Sequence, residues 1–225
     1  MQCKNCPIRP TSLFADISDE LLERARCMPI ERQLNANQRF YSSDQPLRSL
    51  YTLRSGMIKL QSKLADGSTR IIRLYKPGDT LGLHANVMDE QYSEVVSVNS
   101  AELCEIPGHV VERLKLESTA FSHILEQRIR AEIDTADKWI THFSSGTVEK
   151  RVAHLILYLA HLQSSMKDSS VTLLVRDDMA NIVGVRQESV SRAIAQFKRE
   201  GLLTLINKER YTIQPDKLKQ LTLQS

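Results

Sequence analysis

Long apolar runs are absent from this 225-residue chain, and aromatic side chains make up only 5% of it. No apolar stretch approaches the roughly 20 residues that a membrane-spanning helix needs. The N-terminus has no charged segment followed by an apolar stretch, the pattern of a secretory signal. We therefore expect a cytoplasmic protein with no membrane partner. The hydrophobic content of 41% suffices for one large or two modest domains.

Signatures of catalysis are also missing. The chain has no phosphate-binding P-loop, no Gly-x-Ser-x-Gly turn and no His-Glu-x-x-His zinc motif. The neighbouring carboxylates Asp177 and Asp178 stand at a predicted helix start, where acidic side chains favour the helix dipole. The six histidines are scattered, without a His-x-x-x-His pair. We therefore predict that the protein is not an enzyme.

The most informative segment runs from Val175 to Gly201. It predicts a helix over 177–183, a turn at Gly184, where a residue without a side chain is favoured, and a second helix over 187–200. Apolar residues at helical spacing would bury one face of the second helix, and polar side chains crowd the N-terminal end of the other face. A short helix with donors and acceptors at this end fits the major groove of DNA. The segment therefore predicts sequence-specific binding to double-stranded DNA.

A β-hairpin is predicted directly after these two helices. Residues 202–206 and 211–213 are β-rich, and residues 207–210 would connect them. Helix, turn, helix and hairpin in this order are the elements of a winged helix. Residues 171–225 contain nine Lys and Arg against six Asp and Glu, an excess equal to the net charge of +3 of the whole chain. The alternative is a helical hairpin that ends an α-rich domain, since such a hairpin would show the same apolar spacing.

The apolar pattern changes to short β-rich runs between Gln38 and Ile106. Asp66-Gly67 and Pro77-Gly78-Asp79 are turn signals between these runs. Many short strands at roughly regular spacing predict a β-roll of the jelly-roll type. Residues 9–36 have the composition of a short helical lead-in. The fold class predicted for the whole chain is α+β.

The longest helical pattern covers residues 118–143, where apolar residues recur at alternating spacings of four and three. Such a narrow apolar stripe favours pairing with a second helix, so we predict a homodimer. The alternative is a helix packed along its own β-domain. The predicted dimer residues are Leu125, Ile129, Ile133, Ala136, Ile140 and Phe143. The predicted domains are a sensor β-roll with an N-terminal cysteine segment (1–117), a dimerisation helix (118–144) and a winged helix (145–225).

Four short motifs occur in a characteristic order along the chain. They read LRSGMIK at 53–59, PGDTLG at 77–82, TVEKRVA at 147–153 and IVG at 182–184 leading into the second helix. Together they resemble the Crp–Fnr superfamily of bacterial transcription regulators, over nearly the whole chain. The resemblance implies a cyclic-nucleotide-binding-like β-roll, a long dimerisation helix, a C-terminal winged helix and RNA polymerase as a partner.

The second helix carries the pattern E-x-x-S-R, formed by Glu188, Ser191 and Arg192. It is similar to the recognition helix of the Fnr branch, whereas the cyclic-AMP branch has Gly in place of Ser191. The resemblance implies that Arg192 donates to a guanine, Glu188 accepts from a base amino group and Ser191 touches a thymine. The implied target is a palindrome with half-sites similar to TTGAT.

Residues around the two helix starts complete the predicted DNA contacts. The resemblance implies that Arg176 contacts a phosphate, which positions the protein without reading sequence. We expect Arg186 and Gln187 to add contacts of their own. Val175 and Arg186 stand where the family usually has a Ser or Thr cap, and a missing cap costs about 1 kcal/mol.

Cyclic nucleotides are poor candidates for the signal. The family members that bind them hold the phosphate with an Arg-Ser pair after the glycine loop and a nearby Glu. Residues 89–95 here read DEQYSEV, and no arginine occurs between Arg73 and Arg113. Because a buried anion without a cationic partner is costly, we predict that no cyclic nucleotide binds.

Four cysteines are the other candidates for signal detection. Cys3 and Cys6 form a Cys-x-x-Cys pair, and Cys104 matches the distant cluster cysteine of Fnr. Ser12 stands near the place of the third N-terminal cysteine, and Cys27 falls in the predicted helical lead-in. Three interpretations remain open. All four cysteines could ligate an iron–sulfur cluster. Cys3 and Cys6 could instead form a redox-active dithiol, or hold another metal together with Cys104. In the third, the cysteines are functionally silent and Cys104 is a buried apolar residue.

The whole sequence predicts a homodimeric Crp–Fnr-type regulator whose N-terminal domain responds to a redox, oxygen or small-molecule signal. One alternative is a signal-independent regulator with silent cysteines. Another is a protein-interaction module that uses the winged helix as its interface. The pattern formed by Glu188, Ser191 and Arg192 favours DNA over a protein partner.

Overall fold

The computed structural model describes residues 6–42, 49–83, 93–163 and 169–223. The chain divides into two compact units, one formed by residues 1–68 and 72–135 and the other by residues 69–71 and 136–225. The boundary between residues 135 and 136 falls inside the longest helix and not at one of its ends. No helix in the described ranges combines the length and the apolar character that crossing a membrane requires.

Two four-stranded sheets form the β-roll of the first unit, as the sequence predicts. One sheet has the order β1-β8-β3-β6 and the other the order β2-β7-β4-β5. Residues from both sheets enclose one hydrophobic core that includes Leu53, Ile58 and Leu103. The strands are β1 (Ile30–Leu34), β2 (Arg39–Ser42), β3 (Ser49–Ser55), β4 (Ile58–Lys63), β5 (Thr69–Tyr75), β6 (Thr80–Leu81), β7 (Ser93–Ser97) and β8 (Ala101–Pro107).

Helical segments cover the outer face of the β3–β8 pair. The first unit contains a 3-10 turn at Arg9–Thr11, followed by α1 (Asp19–Arg24), α2 (Gly108–Glu117) and the N-terminal part of α3 (Thr119–Phe143). A second core joins these segments to Leu50 of β3 and Ile106 of β8. The prediction of a helical lead-in over 9–36 is therefore only partly correct, because β1 occupies its end. This edge strand is mostly exposed and gains its structure from pairing with β8, which no local pattern reveals.

Gly56 explains one of the motifs that the sequence analysis singles out. Its φ of +86° lies in the left-handed region that favours glycine. A Cβ atom at this position would stand 2.4 Å from the carbonyl oxygen of Ser100. The tight connection between β3 and β4 therefore requires a residue without a side chain.

The second unit is a winged helix built on α4 (Val148–Leu162). The C-terminal part of α3 precedes it, and α5 (Arg176–Val183), α6 (Gln187–Arg199) and α7 (Pro215–Leu223) follow. A three-stranded sheet of order β10-β11-β9 forms the wing, with β9 (Ser170–Thr172), β10 (Leu203–Asn207) and β11 (Arg210–Ile213). The sequence analysis did not predict β9 or α7. Strand β9 has only three residues and pairs with β11, and the one buried residue of α7 is Leu218.

Candidate DNA-binding surface

The two helices α5 and α6 meet at Gly184, as the sequence predicts. Gly184 adopts a left-handed conformation (φ 67°, ψ 49°) and ends α5, and its N–H donates to the carbonyl of Ala180 at 2.8 Å. Arg151 of α4 donates from Nη1 to the carbonyl of Val183 at 2.6 Å. Carbonyls at the end of a helix lack partners within it, so these two bonds fix the turn and its attachment to α4.

The inner face of α6 anchors this helix in the unit. Val190, Ala193, Ile194 and Phe197 are all buried, and Phe197 is fully so. These residues recur at three- and four-residue spacing, which places them on one side of the helix. The opposite side is therefore held outward by the packing of the inner face.

The outer face of α6 presents the polar residues that the sequence predicts for DNA contact. Arg186, Gln187, Glu188, Ser191 and Arg192 are all exposed and lie at the N-terminal end of the helix. The guanidinium of Arg192 donates from Nη2 to the hydroxyl of Ser189, one turn earlier, at 3.4 Å. The surface defined by these five exposed residues is called the α6 face below. It combines a carboxylate, a hydroxyl, an amide and two guanidinium groups, which suits the mixed donors and acceptors of base edges.

Arg176 has a more structural setting than the sequence indicates. Its side chain is half-buried, and its Nη2 donates to the phenol oxygen of Tyr211 on β11 at 3.4 Å. Its Nη1 lies 3.6 Å from the sulfur of Met179. The ammonium of Lys198 stands over the Tyr211 ring, 5.0 Å from its centroid, within the range of a cation–π contact. Arg176 thus links the start of α5 to the wing, and its phosphate contact stays a prediction.

Both helices begin without a side-chain cap. Val175 and Arg186 occupy the N-cap positions of α5 and α6, and neither makes a side-chain capping hydrogen bond. Asp177 and Asp178 lie in the first turn of α5, where their charge favours the helix dipole. The N-terminus of α6 carries the corresponding partial positive charge on the exposed α6 face, which favours an approaching anion.

Most of the predicted dimer residues lie on the outside of α3. Ile133 and Ile140 are 55% and 62% exposed, which is unusual for large apolar side chains on one helix face. Ile129 and Ala136 are half-buried, and Leu125 packs partly against the second core of the first unit. The four residues of this stripe that are exposed or half-buried, Ile129, Ile133, Ala136 and Ile140, are called the α3 stripe below.

The assignment of Phe143 to the dimer interface is wrong. Phe143 is only 1% exposed and packs within its own chain. Its ring centroid lies 4.8 Å from that of Trp139 and 5.8 Å from that of Tyr158 on α4. The apolar spacing of the α3 stripe continues to Phe143. The chain turns back after α3, however, and α4 then covers the Phe143 ring.

Three of the four cysteines, Cys6, Cys27 and Cys104, lie in the described part of the first unit. Cys27 and Cys104 are half-buried and pack against the second core, Cys6 is half-buried near the N-terminus, and Cys3 lies outside the described residues. Within the described ranges no three His, Cys, Asp or Glu side chains form a group that could hold a metal. Cys27 follows α1 and does not lie in a helix, which corrects the prediction for its position. Because Cys3 lies outside the described residues, the iron–sulfur cluster, which needs four ligands around one centre, stays a prediction.

The stretch that stands at the position of the family's nucleotide phosphate site lies partly outside the described residues. Residues 84–92 belong to that part, and only the segment from Ser93 onward is described, as strand β7. The prediction that no cyclic nucleotide binds therefore rests on the sequence.

Two family models match the chain in the order of its two units. A cyclic nucleotide-binding domain matches residues 31–118, and a Crp-like helix-turn-helix domain matches residues 150–221. These two ranges contain most of the β-roll and the whole of the α6 face.

Known proteins resemble the chain along most of its length. Regulatory protein HlyX of Actinobacillus pleuropneumoniae is 24% identical over 213 residues, which cover 92% of this chain and 88% of HlyX. The anaerobic regulatory protein of Haemophilus influenzae is 24% identical over 214 residues, covering 92% and 82%. The solved structure of FixK2 from Bradyrhizobium japonicum has the same fold, with a TM-score of 0.78 at 19% identity over 88% of this chain and 99% of that one. The chain thus combines a cyclic nucleotide-binding domain with a Crp-like helix-turn-helix domain, and these domains and relatives support a transcription regulator of the Crp/Fnr type.

Proposed function

We propose that this protein is a homodimer that binds a palindromic DNA operator with TTGAT-like half-sites and regulates transcription in response to a signal at its N-terminal unit. The observation that carries the proposal is the α6 face, where Glu188, Ser191 and Arg192 are exposed together at the start of an otherwise anchored helix. A side chain that reads a base must be exposed, and the helix that carries it must be rigid.

Each residue of the E-x-x-S-R pattern has a role in this proposal. Arg192 donates two parallel hydrogen bonds to O6 and N7 of a guanine, and Glu188 accepts from the amino group of a cytosine. Ser191 packs against a thymine methyl group. Arg186 and Gln187 extend the contacts at the helix start, and Arg176 approaches a phosphate.

The α3 stripe supports the homodimer. Ile133 and Ile140 expose apolar surface on the longest helix of the chain, and a second copy of the same helix would cover both. Two recognition helices in successive major grooves stand about 34 Å apart, so the dimer would require half-sites one DNA turn apart. RNA polymerase is the expected partner once the operator is occupied.

The signal is proposed to act at the N-terminal unit through redox chemistry, oxygen or a small molecule. The name of the Haemophilus influenzae relative, an anaerobic regulatory protein, supports an oxygen or redox signal. A dithiol needs only Cys3 and Cys6, whereas a cluster also needs Cys27 and Cys104 as ligands. An absorption spectrum with iron and sulfide assays, on protein purified without oxygen and then exposed to air, distinguishes the two. Visible absorbance that bleaches in air indicates a cluster, and a colourless, iron-free protein directs the search to thiols or to a ligand.

The DNA-binding proposal is tested by fluorescence anisotropy with a labelled TTGAT palindrome at fixed salt. Removing one base contact costs roughly 1–3 kcal/mol, and Arg192→Ala removes one from each half-site of the dimer, so binding should weaken by about 30-fold or more. The matched control is Arg199→Ala, since Arg199 is exposed on the last turn of the same helix and has the same charge. A base-reading role for Arg192 also predicts that its variant binds a palindrome altered at the guanine pair of each half-site almost as well as the original.

Two results would contradict the proposal. One is equal loss of affinity in the Arg192 and Arg199 variants, which would indicate general charge attraction without base reading. The other is no binding to the palindrome by the wild-type chain together with a protein partner captured through the α6 face. That result would favour a protein-interaction module. A DNA-binding protein unaffected by oxygen, thiol oxidants or ligands would favour a signal-independent regulator.

A further inference from the structure

Two histidine rings, absent from the DNA-binding proposal, are stacked face to face in the second unit. His142 lies in the last turn of α3 and His154 lies in the second turn of α4. Their ring centroids are 4.3 Å apart and their planes differ by only 7°. Both residues are half-buried. Twelve positions separate them in the sequence, so no spacing rule along one helix predicts this contact.

The stacked pair belongs to a larger group of rings, called the α3–α4 aromatic cluster below. It consists of Trp139, His142, Phe143, His154 and Tyr158. The Trp139 ring contacts Phe143 and Tyr158 edge-on at 4.8 and 5.7 Å, and His142 contacts Phe143 edge-on at 6.2 Å. The cluster packs the last turn of α3 onto α4, the helix on which the winged helix is built.

The connection between the two helices offers little other restraint. Residues 144–146 are bends, and Gly146 has a left-handed φ of +85°. Thr147 caps α4 by accepting from the N–H of Lys150 at 3.2 Å, which fixes the start of α4 but not its direction relative to α3. The aromatic cluster is therefore the ring contact that packs the last turn of α3 on α4 within the second unit.

Two lysines act on the imidazoles: Lys138 stands one turn before His142, and Lys150 stands one turn before His154. Burial, and then Lys138, lower the pKa of His142. Burial, then His142 and then Lys150 lower the pKa of His154 to about 4. The present arrangement is thus one of two neutral rings.

Protonation would change this contact in a definite direction. Two neutral imidazoles stack favourably, as aromatic rings do in offset arrangements. A protonated ring at this site is poorly solvated and faces a lysine, and a second protonated ring 4.3 Å away would repel it. A favourable route to protonation is for the rings to separate and reach water.

We propose that the His142–His154 stack is a proton-sensitive contact that holds α3 on α4 while both rings are neutral and releases it on acidification. Release changes the approach of α3 to the winged helix and so weakens operator binding. The last step rests on the proposed DNA-binding function, whereas the opening of the cluster does not.

The single tryptophan of the chain makes the opening measurable without DNA. Trp139 lies in the cluster itself, so its emission reports the packing there. Between about pH 7.5 and pH 4.5 the wild-type emission should change with a midpoint below the ordinary histidine pKa of about 6.5. His142→Phe with His154→Phe keeps two stackable rings that cannot take up a proton, so this transition should disappear. The control His161→Gln alters an exposed histidine of α4, the helix that also carries His154, and should retain the emission transition.

A second variant keeps the proposal testable if the double substitution fails to fold. Lys138→Gln leaves both rings in place and removes a cation that acts on His142. It should move the midpoint of the emission change to higher pH, whereas Arg130→Gln, an exposed residue earlier on α3, should not. Far-UV circular dichroism at each pH separates opening of the cluster from unfolding.

Operator affinity completes the test. Wild type should lose affinity over the same pH range as the emission change, and the double phenylalanine variant should lose less. An unchanged transition in the phenylalanine variant, or an unmoved midpoint in Lys138→Gln, overturns the proposal. Absence of operator binding by wild type at pH 7.5 refutes the proposed function alone, because the emission result stands without it.

Discussion

Phe143 offers a sharp test of how the second unit is held together, because sequence and structure assign it to different places. The structure buries its ring to 1% exposure between Trp139 and Tyr158. Phe143→Ala removes this buried ring and should lower the free energy of unfolding by about 3–5 kcal/mol. Edge-on pairs contribute about 0.5–1.5 kcal/mol beyond burial, which places this site toward the upper end of that range. Phe143→Leu keeps most of the volume and should cost less than about 1.5 kcal/mol.

Urea unfolding of the full chain at two protein concentrations, followed by Trp139 fluorescence, provides the measurement. Substituting a core residue lowers the free energy of unfolding by the same amount at both concentrations. Substituting an interface residue weakens association, so its effect depends on the protein concentration. Sedimentation of the native Phe143→Ala variant should resemble that of wild type. The reasoning is refuted if Phe143→Ala changes the free energy of unfolding by less than about 0.5 kcal/mol, as a surface substitution does, and instead weakens self-association.

Three further substitutions test other parts of the molecule. Ile133→Asp with Ile140→Asp should convert a dimer to a monomer in sedimentation experiments, because it would bury charges without partners in the interface. The control is Ala131→Asp, since Ala131 is exposed and does not belong to the α3 stripe. A dimer that survives the double substitution would contradict the role of the stripe. Gly184→Ala places a side chain on a left-handed backbone and should lower the free energy of unfolding in urea by about 1–2 kcal/mol. An unchanged urea midpoint would contradict this turn geometry. Burial raises the pKa of Asp79, so its ionised form costs stability at neutral pH. This cost decreases as the pH falls through the folded pKa and is gone once the pH is below the ordinary value of 3.8. Asp79→Asn, which keeps an acceptor for the Lys76 N–H, should therefore raise the urea midpoint at neutral pH and lose this advantage in acid; a variant less stable than wild type at neutral pH would refute the assignment.

Much of the candidate DNA surface could be predicted because its determinants are local. The apolar spacing of α6 identifies its buried face, and the remaining positions, including Glu188 and Arg192, must then be exposed. Gly184 marks the turn because few other residues adopt its backbone conformation at low cost. The short strands between residues 49 and 107 were likewise predicted in type and, for most of them, in approximate place, since turn signals separate them, whereas β1 was missed.

Arg176 and Cys27 show where such local reasoning ends. Arg176 was recognised as a basic residue at a helix start, but its contact with Tyr211 depends on the wing, 35 positions later. Cys27 was placed in a helical lead-in, yet the structure ends α1 at Arg24 and packs the cysteine against the second core. Partners distant in sequence decide both environments.

The sequence by itself determined the order of β-roll, long helix and winged helix, the exposed pattern of α6 and the apolar stripe of α3, because helical and strand periodicity shows which side of an element is apolar. Only the tertiary structure decided what covers each apolar side. It placed Phe143 against α4, stacked His142 on His154, paired β1 with β8 and packed Cys27 and Cys104 on the second core. The physical reason is that burial and ring contacts depend on the approach of two distant segments, which periodicity within one segment cannot encode.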